Sequence, residues 1–183
     1  MLAMWITALI ATTVATASGL RSQTTAPATV QSCVTDAGFH TLDFWLGTWR
    51  VSVDGKYDGT DTVTKILNGC AVIEDWRDVG GSRGKSLFYY DPFAKEWTQV
   101  WITEEATIRG GLKVKKLIAT YPGQGTRFQG MLPGPPGSRT ILDRTTLRPE
   151  SDGTIRQVIE ISIDGGTTWR RTYDALYTRV SHQ

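Results

Sequence analysis

Twenty Lys and Arg against eighteen Asp and Glu leave this 183-residue chain with a formal charge of +2, and no basic run or stripe gathers them. That excludes a dedicated electrostatic binder of nucleic acid. Charged residues at 21% beside 40% apolar residues exclude disorder, and two His with two Cys exclude most zinc sites, which take four closely spaced ligands.

Residues 2–17 read LAMWITALIATTVATA, an uncharged apolar stretch closed by the small-x-small triplet Ala15-Thr16-Ala17. That is the pattern of a secretory h-region with its peptidase site, although no Lys or Arg precedes it; a buried N-terminal helix is the other reading. The stretch is too short, and too rich in Thr and Ala, to span a membrane. Residues 18–32 are rich in Thr, Ala, Ser and Gln without an apolar period, as in a flexible leader. One folded domain is therefore expected over 33–183, after a signal peptide at 1–17, exported to the periplasm or beyond. In an oxidising compartment Cys33 and Cys70 make one intramolecular disulfide, adding about 2–4 kcal/mol; two buried thiols are the alternative.

Turn residues punctuate the rest at Asp58-Gly59, Asn68-Gly69, Gly80-Gly81, Asp91-Pro92, Pro122-Gly123, Gly134-Pro135, Asp152-Gly153 and Asp164-Gly165-Gly166. Between them lie runs rich in Val, Ile, Thr, Tyr and Trp. They predict strands at 45–53, 60–67, 70–78, 85–91, 96–103, 113–121, 126–132, 139–148, 154–163 and 168–178. Residues 35–43 and 104–110 are the stretches open to a short helix. Ten strands on short turns favour an all-β antiparallel meander. Such a sheet curls, and closing it into a barrel removes the edges that invite aggregation. A two-sheet sandwich competes, but no long Greek-key crossover is visible.

Seven Trp are the unusual component. Period two puts Trp97, Gln99 and Trp101 on one face, Glu74 with Trp76, Ser86 with Phe88 and Tyr90, and Trp169 with Arg171, Tyr173 and Tyr177. Arg156, Glu160 and Ser162 alternate with Ile155, Gln157, Ile159 and Ile161. Ten strands enclose more space than aliphatic side chains fill, so the interior takes aromatics and paired polar groups or holds a ligand. Trp in a strand is more often packing than ligand contact, and both roles stay open for Trp76, Trp97 and Trp101.

The segment Phe39-His40-Thr41-Leu42-Asp43-Phe44-Trp45-Leu46-Gly47-Thr48-Trp49 resembles the F-D-F-W-L-G-x-W opening of a bacterial domain-of-unknown-function family in the calycin-like barrel group. The likeness runs on through Gly69-Cys70, Glu74 and Trp76, Tyr90-Asp91-Pro92, Trp97-x-Gln99-x-Trp101, Arg156-Gln157 with Glu160, and Tyr177-Thr178-Arg179. It covers about 33–180. Leu42 stands where Phe is usual, and 104–138 matches least. Gly47-Thr48-Trp49 is also similar to the lipocalin G-x-W, in which the Trp closes one barrel end beneath an Arg of the last strand. The resemblance thus implies a lipocalin-like barrel with Trp45, Gly47 and Trp49 at its closed end. Arg179, or failing that Arg171, would lie over the Trp49 ring, a contact worth about 0.5–2 kcal/mol. It implies no reaction, only an exported barrel holding an apolar or amphipathic molecule.

The residues name no cofactor and no metal. A haem barrel needs an axial His facing its cavity, and His40 precedes the first strand while His182 follows the last. A Ser-His-acid triad would have to recruit His40, and no G-x-S-x-G elbow is present. Glu74 and Glu160 sit mid-strand, with Arg144 and Arg156 near them in strand order. Three roles are open to these groups: a salt-bridge plug or outward surface charges, a polar anchor for a ligand head group, or acid–base chemistry. The tract Lys113 to Lys116 reads as a solvated strand edge. The expected ligand site gathers Glu74, Trp76, Phe88, Tyr90, Gln99, Trp101, Arg144, Arg156 and Glu160 around a small molecule. A binding barrel is the leading expectation. An enzyme using Glu74 or Glu160, and a filled barrel acting through its outer surface, are the alternatives.

Overall fold

After Trp45 most runs alternate a β-branched or aromatic residue with a polar one, and such a strand buries one face only when both its edges are paired. The computed structural model describes residues 33–121, 124–134 and 136–180. It has ten antiparallel strands: β1 (Gly47–Val53), β2 (Lys56–Ile66), β3 (Ala71–Asp78), β4 (Arg83–Asp91), β5 (Glu96–Thr103), β6 (Leu112–Tyr121), β7 (Gly125–Met131), β8 (Leu142–Pro149), β9 (Ile155–Ser162) and β10 (Arg170–Arg179). Each pairs with its neighbours in sequence, and β1 pairs with β10 from Trp49↔Arg179 to Val53↔Ala175. The sheet is a closed, lipocalin-like barrel rather than a sandwich, and it has no open edge. The expected signal segment 1–17, the leader 18–32, His182 and the turn residues Pro122, Gly123 and Pro135 lie outside the described residues.

Strand limits differ from the sequence expectation where side chains compete for the backbone. The last strand begins at Arg170 rather than 168, because the Thr168 amide donates to the Asp164 carboxylate at 2.9 Å instead of to the ladder. Residues 104–110 make separate turns, Ile108 N–H to Glu105 O and Gly111 N–H to Ile108 O, both 3.1 Å, rather than a helix. Residues 35–43 likewise give no continuous helix. Two 3₁₀ turns form, Ala37–His40 and Asp43–Trp45, the first capped by the Asp36 carboxylate accepting from Gly38 N–H at 2.8 Å.

These turns plug one end of the barrel. Leu42 and Trp45 enter it and pack with Trp49, Val51, Val63, Val72, Phe88, Phe128 and Tyr177, all buried. Trp45 and Phe88 meet edge to face at 5.6 Å, and so do Phe88 and Phe128 at 5.5 Å. The Trp49 indole N–H donates to the Trp45 carbonyl at 2.9 Å, which ties the plug to β1. Arg179 lies over the Trp49 ring, 4.3 Å from its centroid. Gly47 makes room for it, since a Cβ there would sit 2.2 Å from the guanidinium, and its φ of 137° also favours glycine. His40 caps the outside, with Nδ1 2.7 Å from Asp43 Oδ2 and Nε2 2.8 Å from the Val34 carbonyl oxygen. The disulfide Cys33–Cys70 fastens the start of this segment to the residue before β3.

Candidate functional site

In an up-and-down barrel alternate hairpins share an end, so the β1–β2, β3–β4, β5–β6, β7–β8 and β9–β10 connections ring the end opposite the plug. Between the two ends the inward side chains change character strand by strand. Toward the plug they are apolar: Val63 on β2, Val72 on β3, Phe88 on β4, Trp97 on β5, Leu147 on β8 and Ile155 on β9. Two residues further toward the mouth they turn polar, with Asp61, Glu74, Ser86, Gln99, Thr145 and Gln157 all buried, and Lys115 buried among them from β6. Beyond this polar layer the barrel is hollow.

The hollow is a cavity of about 490 Å³, open at the hairpin end and walled by Trp76, Trp101, Ile159, Ile161 and Tyr173. Glu74, Gln157 and Tyr177 lie at its floor, and a recess of about 80 Å³ continues to Gln99, Lys115 and Thr145. Two glycines seat the indoles. A Cβ on Gly59 would come within 2.6 Å of the Trp76 ring, and one on Gly84 within 2.4 Å of the Trp101 ring. Small residues on neighbouring strands thus let both rings lie flat along the wall.

The floor is a hydrogen-bonded network. The Ser86 hydroxyl donates to Glu74 Oε2 and so has no second hydrogen, which makes the Gln99 amide nitrogen the donor to Ser86 Oγ at 3.0 Å. Lys115 donates to Asp143 Oδ1 and, at 2.6 Å, to Thr145 Oγ1. Lys113 reaches the other Asp143 oxygen at 3.0 Å. The Tyr177 hydroxyl donates to Gln157 Oε1 at 2.9 Å, and the Tyr173 hydroxyl to Asp58 Oδ2 at 2.7 Å.

Burial governs the protonation of this layer. It pushes the Glu74 carboxyl up to about 7, against the Ser86 hydrogen bond and the charges of Lys115 and Lys113, which hold it down. Asp61 is raised well above the usual carboxylate range by burial and by the like charges of Glu74 and Asp75. Apart from a weak approach of the Thr62 amide, its carboxylate oxygens have no hydrogen-bond partner among the described residues. Burial pulls the Lys115 ammonium down to about 8, although Asp143 opposes the change.

Of the expected ligand residues, Glu74, Trp76, Gln99 and Trp101 meet at this cavity or its recess. Phe88 and Tyr90 face inward but lie at the plugged end, Tyr90 packed between Phe39 and Trp97 at 5.0 and 5.7 Å. Arg144, Arg156 and Glu160 belong to the outer face, because the isoleucines of β9 and Asp143 with Thr145 of β8 take the inner one. There Arg144 donates to Glu160 at 2.7 Å and stacks 3.9 Å from the Trp169 ring centroid, while Arg156 pairs with Asp174 at 2.7 Å. The Arg144 hydrogen bond holds the Glu160 carboxyl below its usual value. A register shift between Arg171 and Tyr173 splits a face that strict alternation would keep whole: Arg171 points outward and Tyr173 inward.

Sequence reasoning missed Asp61, Lys113, Lys115, Asp143 and Gln157. The tract Lys113 to Lys116 is not a solvated edge: Val114 and Lys116 face solvent, and Lys113 and Lys115 face the interior. The available signal was the shared parity of Lys113, Lys115 and Leu117, which becomes legible only once Leu117 is known to join the core. No helix among the described residues is long and apolar enough to cross a membrane. Comparison with protein-family models and with curated proteins finds no match to this chain.

Proposed function

We propose that the protein is an exported barrel that binds a small apolar or amphipathic molecule in its open half. The observation that carries this reading is the cavity of about 490 Å³, with indole and isoleucine walls and a buried polar floor. Such a space is of ligand size, and a site with apolar walls and a few convergent polar groups is the usual form of a small-molecule pocket. A filled barrel acting only through its exterior has no use for this hollow. Export rests on the uncharged apolar stretch at 2–17 and agrees with the disulfide Cys33–Cys70. Membership of the family that opens with F-D-F-W-L-G-x-W belongs to the same proposal and rests on Asp43 to Trp49.

A second reading, proton transfer to or from a bound molecule, is favoured by one observation. Glu74 borders the cavity with its carboxyl pushed up to about 7, where it can both give and take a proton. Glu160 has no part in it, since it lies on the outer face.

The test is mass spectrometry of the small molecules carried by the protein purified from the exported fraction, followed by tryptophan fluorescence as they are added back. Recovery of a compound that shifts the emission, and a weaker shift in a Trp101→Ala variant, is the expected result. A protein that carries nothing, and whose emission no apolar or amphipathic compound alters, would sink the binding reading. Glu74→Gln separates the two readings: kept affinity with lost turnover of the recovered compound would establish an enzyme.

A further inference from the structure

We propose that the cavity, taken as the binding site argued above, selects an organic ammonium cation: a molecule with an apolar body and a positively charged N–H head group. The proposal rests on which polar groups in the site are engaged and which are spare.

The donors at the floor are engaged. Lys113 and Lys115 share the two oxygens of Asp143, and Lys115 also holds Thr145. Arg109, at the mouth, donates to Ser138 Oγ at 2.8 Å. The Tyr173 and Tyr177 hydroxyls are given to Asp58 and Gln157, and the Ser86 hydroxyl to Glu74. An anionic head group at the floor would have to share a lysine already held by Asp143, while Arg109, which makes no ion pair among the described residues, stands at the mouth.

The acids lack a counter-charge, and Asp58, Glu74 and Asp78 keep acceptor capacity beyond the hydrogen bonds they take from Tyr173, Ser86 and the Ser82 amide. Asp58, Asp61, Glu74 and Asp78 make no ion pair among the described residues. Asp58, Glu74 and Asp78 border the cavity, and Asp61 lies fully buried beside them on β2. Gln99 adds an independent sign, because its amide oxygen is buried and unpartnered while the residue lines the recess. A buried acceptor without a donor is costly, and a ligand N–H removes that cost.

The walls agree with the acceptors. Trp76, Trp101, Tyr173 and Tyr177 border the same space, and the faces of such rings attract cations once water is excluded. Indole rings on β3 and β5, phenols on β10 and carboxyl groups without an ion pair on β2 and β3 surround the position an ammonium would take. The lysines stand opposite, held to β8 by Asp143.

Titration calorimetry of the full protein with octylammonium, octanol and octanoate tests the charge preference with the tail held constant. At about pH 8, where the Glu74 carboxyl is ionised and octylammonium keeps its charge, the expected result is octylammonium binding tighter than either partner by about tenfold or more, as a charge-assisted hydrogen bond to a buried carboxylate provides. Glu74→Gln should remove that advantage while leaving octanol unchanged, and Asp78→Asn should reduce it. Glu160→Gln, on the outer face, should leave it intact. Octanol or octanoate binding as tightly as octylammonium overturns the cation assignment and leaves the binding reading standing. Loss of octylammonium affinity in Glu160→Gln equal to that in Glu74→Gln places the cation on the exterior and also overturns it. Failure of all three probes to bind overturns both.

Discussion

Glu74→Gln should flatten the dependence of stability on pH. The Glu74 carboxyl is fully buried, and burial raises it from an ordinary 4.5 to about 7. Between those values the folded barrel keeps a proton that the unfolded chain has released. The resulting stability is therefore complete below about pH 4.5 and is lost as pH rises through about 7. The gap corresponds to about 3 kcal/mol, with no discount for solvent at a buried group. For a domain of this size that is roughly 6–12 °C in melting temperature. Gln keeps an oxygen to accept the Ser86 hydroxyl and cannot ionise, so it removes the titration with little change of shape. Urea unfolding of both proteins at about pH 5 and about pH 8 makes the comparison. The wild type should lose about 2.5 kcal/mol more than the variant over this interval. Lys115 acts with the opposite sign and at higher pH. Its ammonium is lowered from 10.5 to about 8, so the destabilisation it causes is relieved as pH rises above about 8. Asp61 titrates with the same sign as Glu74 and is raised partly by it, so the substitution can only flatten the curve further. Parallel pH curves in the two proteins would refute the assignment of a buried, near-neutral carboxyl at this position.

Reducing Cys33–Cys70 opens a constraint between residues 37 apart and should cost about 4 kcal/mol on loop entropy; thermal melts with and without reductant check it, and equal midpoints would contradict it. Trp49→Ala removes the centre of the plug and the ring beneath Arg179, and should destabilise by about 3–5 kcal/mol in chemical denaturation while sparing the cavity. Unchanged melting with lost ligand would reverse that division of roles. Asp143→Ala strands Lys113 and Lys115 inside the barrel and should cost about 3–5 kcal/mol, whereas Glu160→Gln on the outer face should cost about 1 kcal/mol or less. Equal losses in these two variants would contradict the placement of β8 and β9 side chains.

The sequence by itself determined the strand count and the meander, while the plugged end was an expectation implied by the resemblance at Trp45, Gly47 and Trp49. Strand count and meander depend on neighbours in the chain: Asp-Gly and Asn-Gly turns at short intervals and β-branched runs between them. Pairing parity along β3 and β5 also put Glu74 with Trp76, and Gln99 with Trp101, before any fold was known. Period two separates the faces of a strand without saying which is inside, and closure of β1 on β10 decides that. On β9 the isoleucines take the interior and send Arg156 and Glu160 to solvent. On β6 the same choice buries Lys113 and Lys115, because Leu117 of the same parity joins the core while Asp143 arrives from β8 to meet their charge. Depth along the barrel was equally hidden: Phe88 and Tyr90 share a face with Ser86 yet reach the plug rather than the cavity. A register shift at Arg171 and Tyr173 completes the difference by turning one run of residues toward both sides of the wall. Local chemistry specifies each strand and its turns, whereas inside and outside are properties of the closed sheet, in which one residue of slip exchanges every face.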